Sequence, residues 1–118
     1  MAKAAIVVFA DPDEPSGTGR LANALITARE FDEEGDDVVV VFDGAGVRWI
    51  PLLADPEHKY SRLLDSVRDR VAGACAYCAQ AYGVREAIEA VGMPLISEYR
   101  RHPSLRIYVA QGRQVITF

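Results

Sequence analysis

The sequence lacks a long hydrophobic run, an excess of positive charge and a rich supply of metal-binding side chains. No apolar stretch approaches the ~20 residues that a membrane-spanning helix needs. Lys and Arg number 13 against 17 Asp and Glu, a formal net charge of −4, so the general basic footprint of nucleic-acid-binding domains is missing. Only two cysteines and two histidines are present, and the repeated ligand pairs of zinc ribbons and fingers are absent. We therefore expect that the protein binds neither membranes nor nucleic acid, and that it holds no metal and no cofactor.

The composition is that of a globular protein. Half of the 118 residues are hydrophobic and a quarter are charged, which suits a single domain with a real core, spanning residues 1–118. The apolar N-terminus could be mistaken for a signal peptide, but acidic residues from Asp11 onward replace the small-residue cleavage site. We interpret it as a buried first strand and expect a cytoplasmic protein, in which the thiols stay reduced.

Strand-like and helix-like segments alternate along the chain, which is the pattern of an α/β domain. Helices with apolar residues at i, i+3, i+4 and i+7 are predicted after residue 19, across 60–70 and from 84 to Gly92. A last short helix opens at Pro103, with Leu105, Tyr108 and Val109 facing inward. The predicted strands are residues 4–9, 38–42, 71–74, 95–99 and 114–118. Connections of this length favour parallel pairing with right-handed crossovers.

These elements predict a three-layer α/β/α domain of the flavodoxin/Rossmann-like type, with a mostly parallel five-stranded sheet covered on both faces. In such open sheets, ligands and reactive groups gather at the carboxyl ends of the strands. We expect residues 10–19, residues 43–51 and the segment containing the cysteines to meet there.

The cysteine segment is the most informative feature, because Cys75 and Cys78 lie three residues apart where a strand gives way to a helix. Unpaired N–H groups and the helix dipole favour a thiolate at that point. We therefore expect Cys75 to be exposed and ionisable, with one thiol attacking and the other resolving, as in CxxC redox proteins. The alternative is that both are small buried core residues.

Five further residues are candidates for a pocket that stabilises an anion around the thiols. Ser16, Gly17 and Thr18 precede a helix as a phosphate-binding loop does, but the segment lacks the Lys-Ser/Thr ending of a P-loop and the last glycine of G-x-G-x-x-G. An ordinary loop with a helix cap is the competing interpretation. Arg48 and Arg85 are possible cationic neighbours of a thiolate, or simply surface arginines.

Three other features have ordinary interpretations. A zinc site made by the two cysteines with His58 and His102 is disfavoured, because the histidines stand alone rather than as a spaced pair. The basic triplet at residues 100–102 is typical of a solvated turn. The apolar stretch at residues 49–53 either packs on the sheet or forms a subunit contact, since tryptophan is favoured in interfaces.

The order of these segments resembles the DsrE/DsrF-like family, which includes the YchN and TusD proteins. The resemblance covers nearly the whole chain and rests on the opening strand, loop and helix, on Cys75 eight residues before Gly83-Val84, and on the C-terminal strand of residues 114–118. It implies a compact α/β subunit in a homotrimer, homohexamer or related hetero-oligomer. It also implies sulfur trafficking, with Cys75 accepting sulfane sulfur as a persulfide.

Three functions are open at this point. The leading hypothesis is a sulfur carrier, a sulfurtransferase-like relay in which Cys75 holds a persulfide and passes it from an unidentified donor to an unidentified acceptor protein. The second is a dithiol–disulfide oxidoreductase that uses Cys75 and Cys78, although the flanking tryptophan and following proline of thioredoxins are absent. The third is a non-catalytic oligomeric binding module.

Overall fold

The computed structural model describes all 118 residues and contains five β-strands, six α-helices and two short 3₁₀ helices. The strands are β1 Lys3–Val8, β2 Asp37–Phe42, β3 Val71–Cys75, β4 Leu95–Ile96 and β5 Gln114–Thr117. The α-helices are α1 Gly17–Glu33, α2 Trp49–Leu53, α3 Ser61–Ser66, α4 Ala76–Ala81, α5 Arg85–Ala90 and α6 Leu105–Ala110. The 3₁₀ helices are Gly44–Arg48 and Arg68–Arg70. None of the helices combines the length and the apolar character needed to cross a bilayer.

The strands form one parallel sheet in the order β4-β3-β2-β1-β5. β1 lies inside the sheet and pairs with β2 over six residues, from Lys3 opposite Asp37 to Val8 opposite Phe42. After a charged first residue, both strands are continuous apolar runs, as is typical of parallel strands buried on both faces. The predicted α/β fold with a parallel five-stranded sheet is therefore confirmed.

The two faces of the sheet are covered unequally. Alternate residues of β1 point to opposite faces: Ile6 joins the main core, which includes residues of α1 to α5, whereas Ala5 packs with Val41 and Tyr108 of α6. Only α6 contributes a buried helix residue to this smaller cluster. The second helical layer of the predicted α/β/α arrangement is therefore present, but it consists of the short helix α6 alone.

Residues 49–53 form a helix that sequence reasoning treated as part of a connection. Trp49, Ile50 and Leu53 are buried in the main core, and only Leu52 is substantially exposed. The indole Nε1 of Trp49 donates a hydrogen bond of 2.8 Å to the carbonyl oxygen of Ala10. This bond satisfies the polar atom of a buried tryptophan, so the apolar stretch packs inside the subunit.

The C-terminal third departs from the predicted boundaries. The strand predicted at residues 95–99 ends at Ile96, and Arg100 and Arg101 follow with positive φ angles of 49° and 67°. This left-handed pair closes a tight turn in which Tyr99 and His102 exchange backbone hydrogen bonds. We call residues 98–102 the covering turn, because it lies over the sheet edge.

Two details of the last helix also differ from the sequence prediction. α6 starts at Leu105, where the Ser104 hydroxyl accepts the Ile107 N–H, rather than opening at Pro103. Val109 was expected to face inward, but it is 61% exposed. That expectation was wrong because Tyr108 takes the buried position of this helix and is its only buried residue.

Candidate thiol site

Four polar or ionisable side chains converge at the carboxyl edge of the sheet. Asp43 follows β2, Cys75 ends β3, Cys78 lies in α4 and His102 closes the covering turn after β4. One sulfur, nitrogen or oxygen atom from each lies within 4.8 Å of those from the other three. We call these four residues the thiol cluster. Three separate segments build it, so the parallel topology assembles the site.

Cys75 is the centre of the cluster. It is the last residue of β3 and the N-cap of α4, and its Sγ accepts the Cys78 backbone N–H at 3.3 Å. The Nδ1 atom of His102 lies 3.2 Å from the same sulfur, and the Arg101 carbonyl oxygen lies 3.8 Å away. Apart from the Cys78 N–H, both of these polar neighbours of the Cys75 sulfur belong to the covering turn.

The expectation of an exposed and readily ionised Cys75 is wrong. The residue is 0% exposed, and burial raises the pKa of its thiol to about 12. The Cys78 N–H lowers that pKa only in part, while the nearby Asp43 carboxylate raises it further. One backbone donor at a helix start does not offset the loss of water around a charged sulfur and the repulsion from a neighbouring carboxylate.

Cys78 and Asp43 form the inner half of the cluster. The Cys78 thiol donates to Asp43 Oδ1 at 3.7 Å, and the same oxygen accepts the Gly44 N–H at 2.8 Å. Burial, followed by the Asp43 charge, raises the pKa of Cys78 despite the stabilising contact with Cys75. Both cysteines are free thiols, and their surroundings raise the pKa of both.

The covering turn is fastened to α4 by contacts of aromatic and cationic side chains and by one backbone hydrogen bond. The Tyr77 and His102 rings lie 4.9 Å apart, and the Arg101 guanidinium lies 4.8 Å from the Tyr77 ring centre. The Tyr77 N–H donates to the Arg101 carbonyl at 3.0 Å. A cleft of about 360 Å³ opens beside this contact, lined by Tyr77, Gln80, Arg85 and Arg101 among others. Cys75 does not line it, so the turn separates the thiol from the cleft.

The predicted arginine neighbours are engaged elsewhere. Arg48 binds Asp11 at 2.7 Å and Asp13 at 2.8 Å, which ties the loop at residues 10–16 to the 3₁₀ helix Gly44–Arg48. Arg85 pairs with Glu89 at 3.1 Å and borders the cleft. Neither guanidinium is hydrogen-bonded to a sulfur.

The predicted anion loop also has a structural explanation. Ser16 is the N-cap residue of α1, but its side chain makes no capping hydrogen bond, and Thr18 is exposed. Gly17 is buried, and a Cβ atom there would overlap the carbonyl oxygen of Asp11. The glycine is thus needed for close packing of the loop on itself, and none of the three residues is hydrogen-bonded to the thiol cluster.

Sequence reasoning did not name Asp43 as a site residue, and it considered His102 beside the cysteines only in a disfavoured zinc site. Asp43 directly follows a buried strand at the edge where reactive groups gather, so its position was a usable signal. His102 gave no such signal, because the left-handed pair before it directs the chain back over Cys75. His58, the other histidine considered for zinc, lies outside the cluster, where its Nδ1 accepts the Tyr60 N–H at 3.1 Å and its ring meets Trp49 edge-on.

Comparisons with known proteins fit this architecture. Residues 3–118 match the DsrE/DsrF-like family. The chain is 28% identical over 96 residues to the uncharacterized protein MJ0733 of Methanocaldococcus jannaschii, covering 81% of this chain and 78% of that protein. A conserved protein of unknown function, BT1422 from Bacteroides thetaiotaomicron, has a similar fold, with a TM-score of 0.66, 14% identity and coverage of 98% of this chain and 95% of that one. Because the family match spans nearly every residue, the chain belongs to the DsrE/DsrF-like family.

Proposed function

We propose that the protein is a sulfur carrier that holds sulfane sulfur as a persulfide on Cys75. The proposal rests on the surroundings of the Cys75 sulfur atom. Cys75 Sγ accepts a backbone N–H and lies 3.2 Å from a histidine nitrogen that can take its proton. Membership of a family linked to sulfur relay supports a role in sulfur transfer.

The proposed loading step moves one sulfur atom without net oxidation. His102 accepts the thiol proton, and the Cys75 thiolate attacks the outer sulfur of a donor persulfide, R–S–SH. A sulfur–sulfur bond forms at Cys75 as the donor's own sulfur–sulfur bond breaks, and R–S⁻ leaves. Delivery repeats the exchange: an acceptor thiolate attacks the terminal sulfur of Cys75–S–SH, and the Cys75 thiolate leaves and regains a proton. The cluster supplies the proton acceptor for the first step and an N–H donor for the sulfur anion.

The buried position of Cys75 makes movement of the Arg101 and Tyr77 side chains part of the proposal. These two side chains contact each other and line the cleft, so a donor would reach Cys75 when their contact opens while His102 stays beside the sulfur. The high pKa of the closed Cys75 thiol keeps it protonated until then. Burial would thus protect the thiol from unwanted oxidation, and access would control loading.

The proposal extends to assembly and location. A homotrimer or homohexamer would cover the exposed apolar side chains of Tyr99 and Ile107, which are 63% and 37% exposed and border the same groove. Large apolar side chains grouped at a surface favour protein–protein contact. The sulfur donor and acceptor would be proteins of the cytoplasm, where both thiols remain reduced. Native mass spectrometry tests the assembly.

Sulfane loading followed by intact mass measurement tests the carrier function. Metal-free, reduced protein treated with a persulfide donor is expected to gain the mass of one sulfur atom, and a thiol reductant should remove it. Cys75→Ser should gain none, whereas Cys78→Ser should still load. Equal uptake by Cys75→Ser and the parent would refute the assignment.

A second function, dithiol–disulfide exchange, is favoured by one observation: the two sulfur atoms lie within 4.8 Å of each other. Cys78 could attack Cys75 in a mixed disulfide and release the reduced partner. Loss of turnover in both single cysteine variants, with a reduction potential in the cytosolic range, would support this function. Sulfur loading that survives Cys78→Ser would favour the carrier.

A further inference from the structure

The thiol cluster brings together the kinds of ligand atom from which zinc sites are built. Two thiols, an imidazole nitrogen and a carboxylate oxygen lie within 4.8 Å of one another. Zinc in proteins is commonly four-coordinate and tetrahedral, with bonds of about 2.3 Å to sulfur and about 2.0–2.1 Å to nitrogen. Atoms at the corners of such a tetrahedron are separated by about 3.3–3.8 Å, as those bond lengths require.

Two separations across the cluster agree with this geometry. Cys75 Sγ lies 3.2 Å from His102 Nδ1, and Cys78 Sγ lies 3.7 Å from Asp43 Oδ1. The other separations are at most 4.8 Å, so the four side chains must draw together by about 1 Å or less to reach the edges of such a tetrahedron. They come from the ends of β2 and β3, from α4 and from the covering turn, so no element has to be rebuilt.

The surroundings suit a closed zinc site. Asp43, Cys75 and Cys78 are 8%, 0% and 9% exposed, so three of the four ligands are buried, and the half-buried His102 lies on the outer side. The Cys78 N–H bond to Cys75 Sγ and the Gly44 N–H bond to Asp43 Oδ1 orient two of the ligands from outside the coordination sphere. Two thiolates among four ligands select zinc over magnesium or calcium, which prefer oxygen.

We infer that Asp43, Cys75, Cys78 and His102 form a mononuclear zinc site. Binding Zn²⁺ displaces the thiol protons and leaves two thiolates, one neutral imidazole and one carboxylate around the ion. The ion fastens the covering turn to β2 and β3 through His102. It also occupies Cys75, so the zinc-bound form is the closed state in which sulfur cannot be loaded. The inference stands on the four-residue geometry and does not depend on the carrier function.

Zinc binding by the full-length, reduced and chelator-treated protein tests the inference. Native mass spectrometry should show one zinc per chain, and excess Mg²⁺ should not displace it. Cobalt substituted for zinc should give thiolate-to-metal charge-transfer absorption and the visible bands of tetrahedral Co²⁺. Failure to retain one zinc per chain, or a cobalt spectrum without thiolate absorption, would overturn the site.

The two histidines provide a matched pair of variants. His102→Gln should weaken zinc binding by more than the roughly 10–100-fold that loss of an outer-shell partner costs, whereas His58→Gln should leave the affinity unchanged. Asp43→Asn tests the fourth ligand in a variant that keeps both thiols. Equal zinc affinity in His102→Gln and the parent would contradict the assignment, as would equal losses in the two histidine variants. Circular dichroism of each variant separates lost ligation from lost folding.

Loading and metal binding are measured on separate samples, so the two proposals fail in different ways. A protein that binds zinc but takes no sulfane sulfur after chelation supports the metal site and refutes the carrier. A protein that loads sulfur at Cys75 but retains no zinc supports the carrier and refutes the metal site. If both proposals hold, adding one equivalent of Zn²⁺ should suppress sulfur loading.

Discussion

Gly73 lies in β3 two residues before Cys75, at a point where an added methyl group has no space. Its φ angle of 148° lies outside the range that side chains favour, and a Cβ atom there would overlap the Pro94 carbonyl oxygen and lie 3.1 Å from Ile96 Cγ1. That carbonyl accepts the Ala74 N–H at 2.9 Å. Gly73→Ala must therefore push β4 away from β3 or distort β3 itself.

The expected loss in the free energy of unfolding of Gly73→Ala is the sum of two costs. A strained backbone conformation costs about 1–3 kcal/mol, and forcing extra volume into a packed site costs about 1–3 kcal/mol. We expect Gly73→Ala to lower the free energy of unfolding by about 2–6 kcal/mol, a large part of the roughly 5–15 kcal/mol of a typical domain. Because β4 leads into the covering turn, Cys75 should also react faster with a neutral alkylating agent.

Gly19 provides the matched control. It lies in α1, and no atom comes within 4 Å of the position that an added Cβ would occupy, so Gly19→Ala should raise the free energy of unfolding by up to about 1 kcal/mol. Urea unfolding followed by circular dichroism measures both variants. If Gly73→Ala were as stable as the parent, or Gly19→Ala lost as much stability, the packing argument would be refuted.

Three further predictions concern the Cys75 thiol and the hydrogen bonds that the Trp49 and Arg113 side chains donate. In metal-free Cys78→Ser protein, the alkylation rate of Cys75 should rise about tenfold per pH unit up to about pH 10 without a plateau, because a raised pKa keeps the reactive thiolate a minor species. Trp49→Phe should cost about 1–3 kcal/mol in urea unfolding, since the Ala10 carbonyl loses its indole donor. Arg113→Met should cost about 1–3 kcal/mol, because its Nη1 donates both to the Asp37 backbone carbonyl and to its carboxylate.

Each of these three predictions has an outcome that would contradict it. An alkylation rate that levels off by about pH 10 would show that the Cys75 thiol ionises as easily as a free one, whose pKa is about 8.5. The Trp49 reasoning fails if the phenylalanine variant unfolds at the same urea concentration as the parent. For Arg113, the control is Arg29→Met: Arg29 pairs with Glu33 on the exposed side of α1, and surface pairs contribute about 0–1 kcal/mol. Equal effects in the two arginine variants would contradict the special role of Arg113.

The fold could be predicted because its main signals are local. Valine-rich runs such as Asp37–Phe42 bury both faces of a parallel strand, and the apolar spacing of Leu21, Ala24, Leu25 and Ala28 matches one buried helix face. The segment 49–53 was harder to assign, because an apolar run of five residues fits a strand, a loop or a helix equally well. Its place in the core is a tertiary property, since the Trp49 indole donates a hydrogen bond to the carbonyl of Ala10, which is distant in the chain.

For the site, the sequence identifies the two cysteines and the sheet edge at which they lie, because spacing and strand ends are local properties. The chemical state of those cysteines is a tertiary property. Burial at 0% exposure and a carboxylate from the end of β2 reverse the ionisation that a helix start alone would favour. His102 reaches Cys75 through a left-handed turn 27 residues further along the chain. No local pattern encodes such a contact, since it exists only once β3, β4 and the covering turn have packed together.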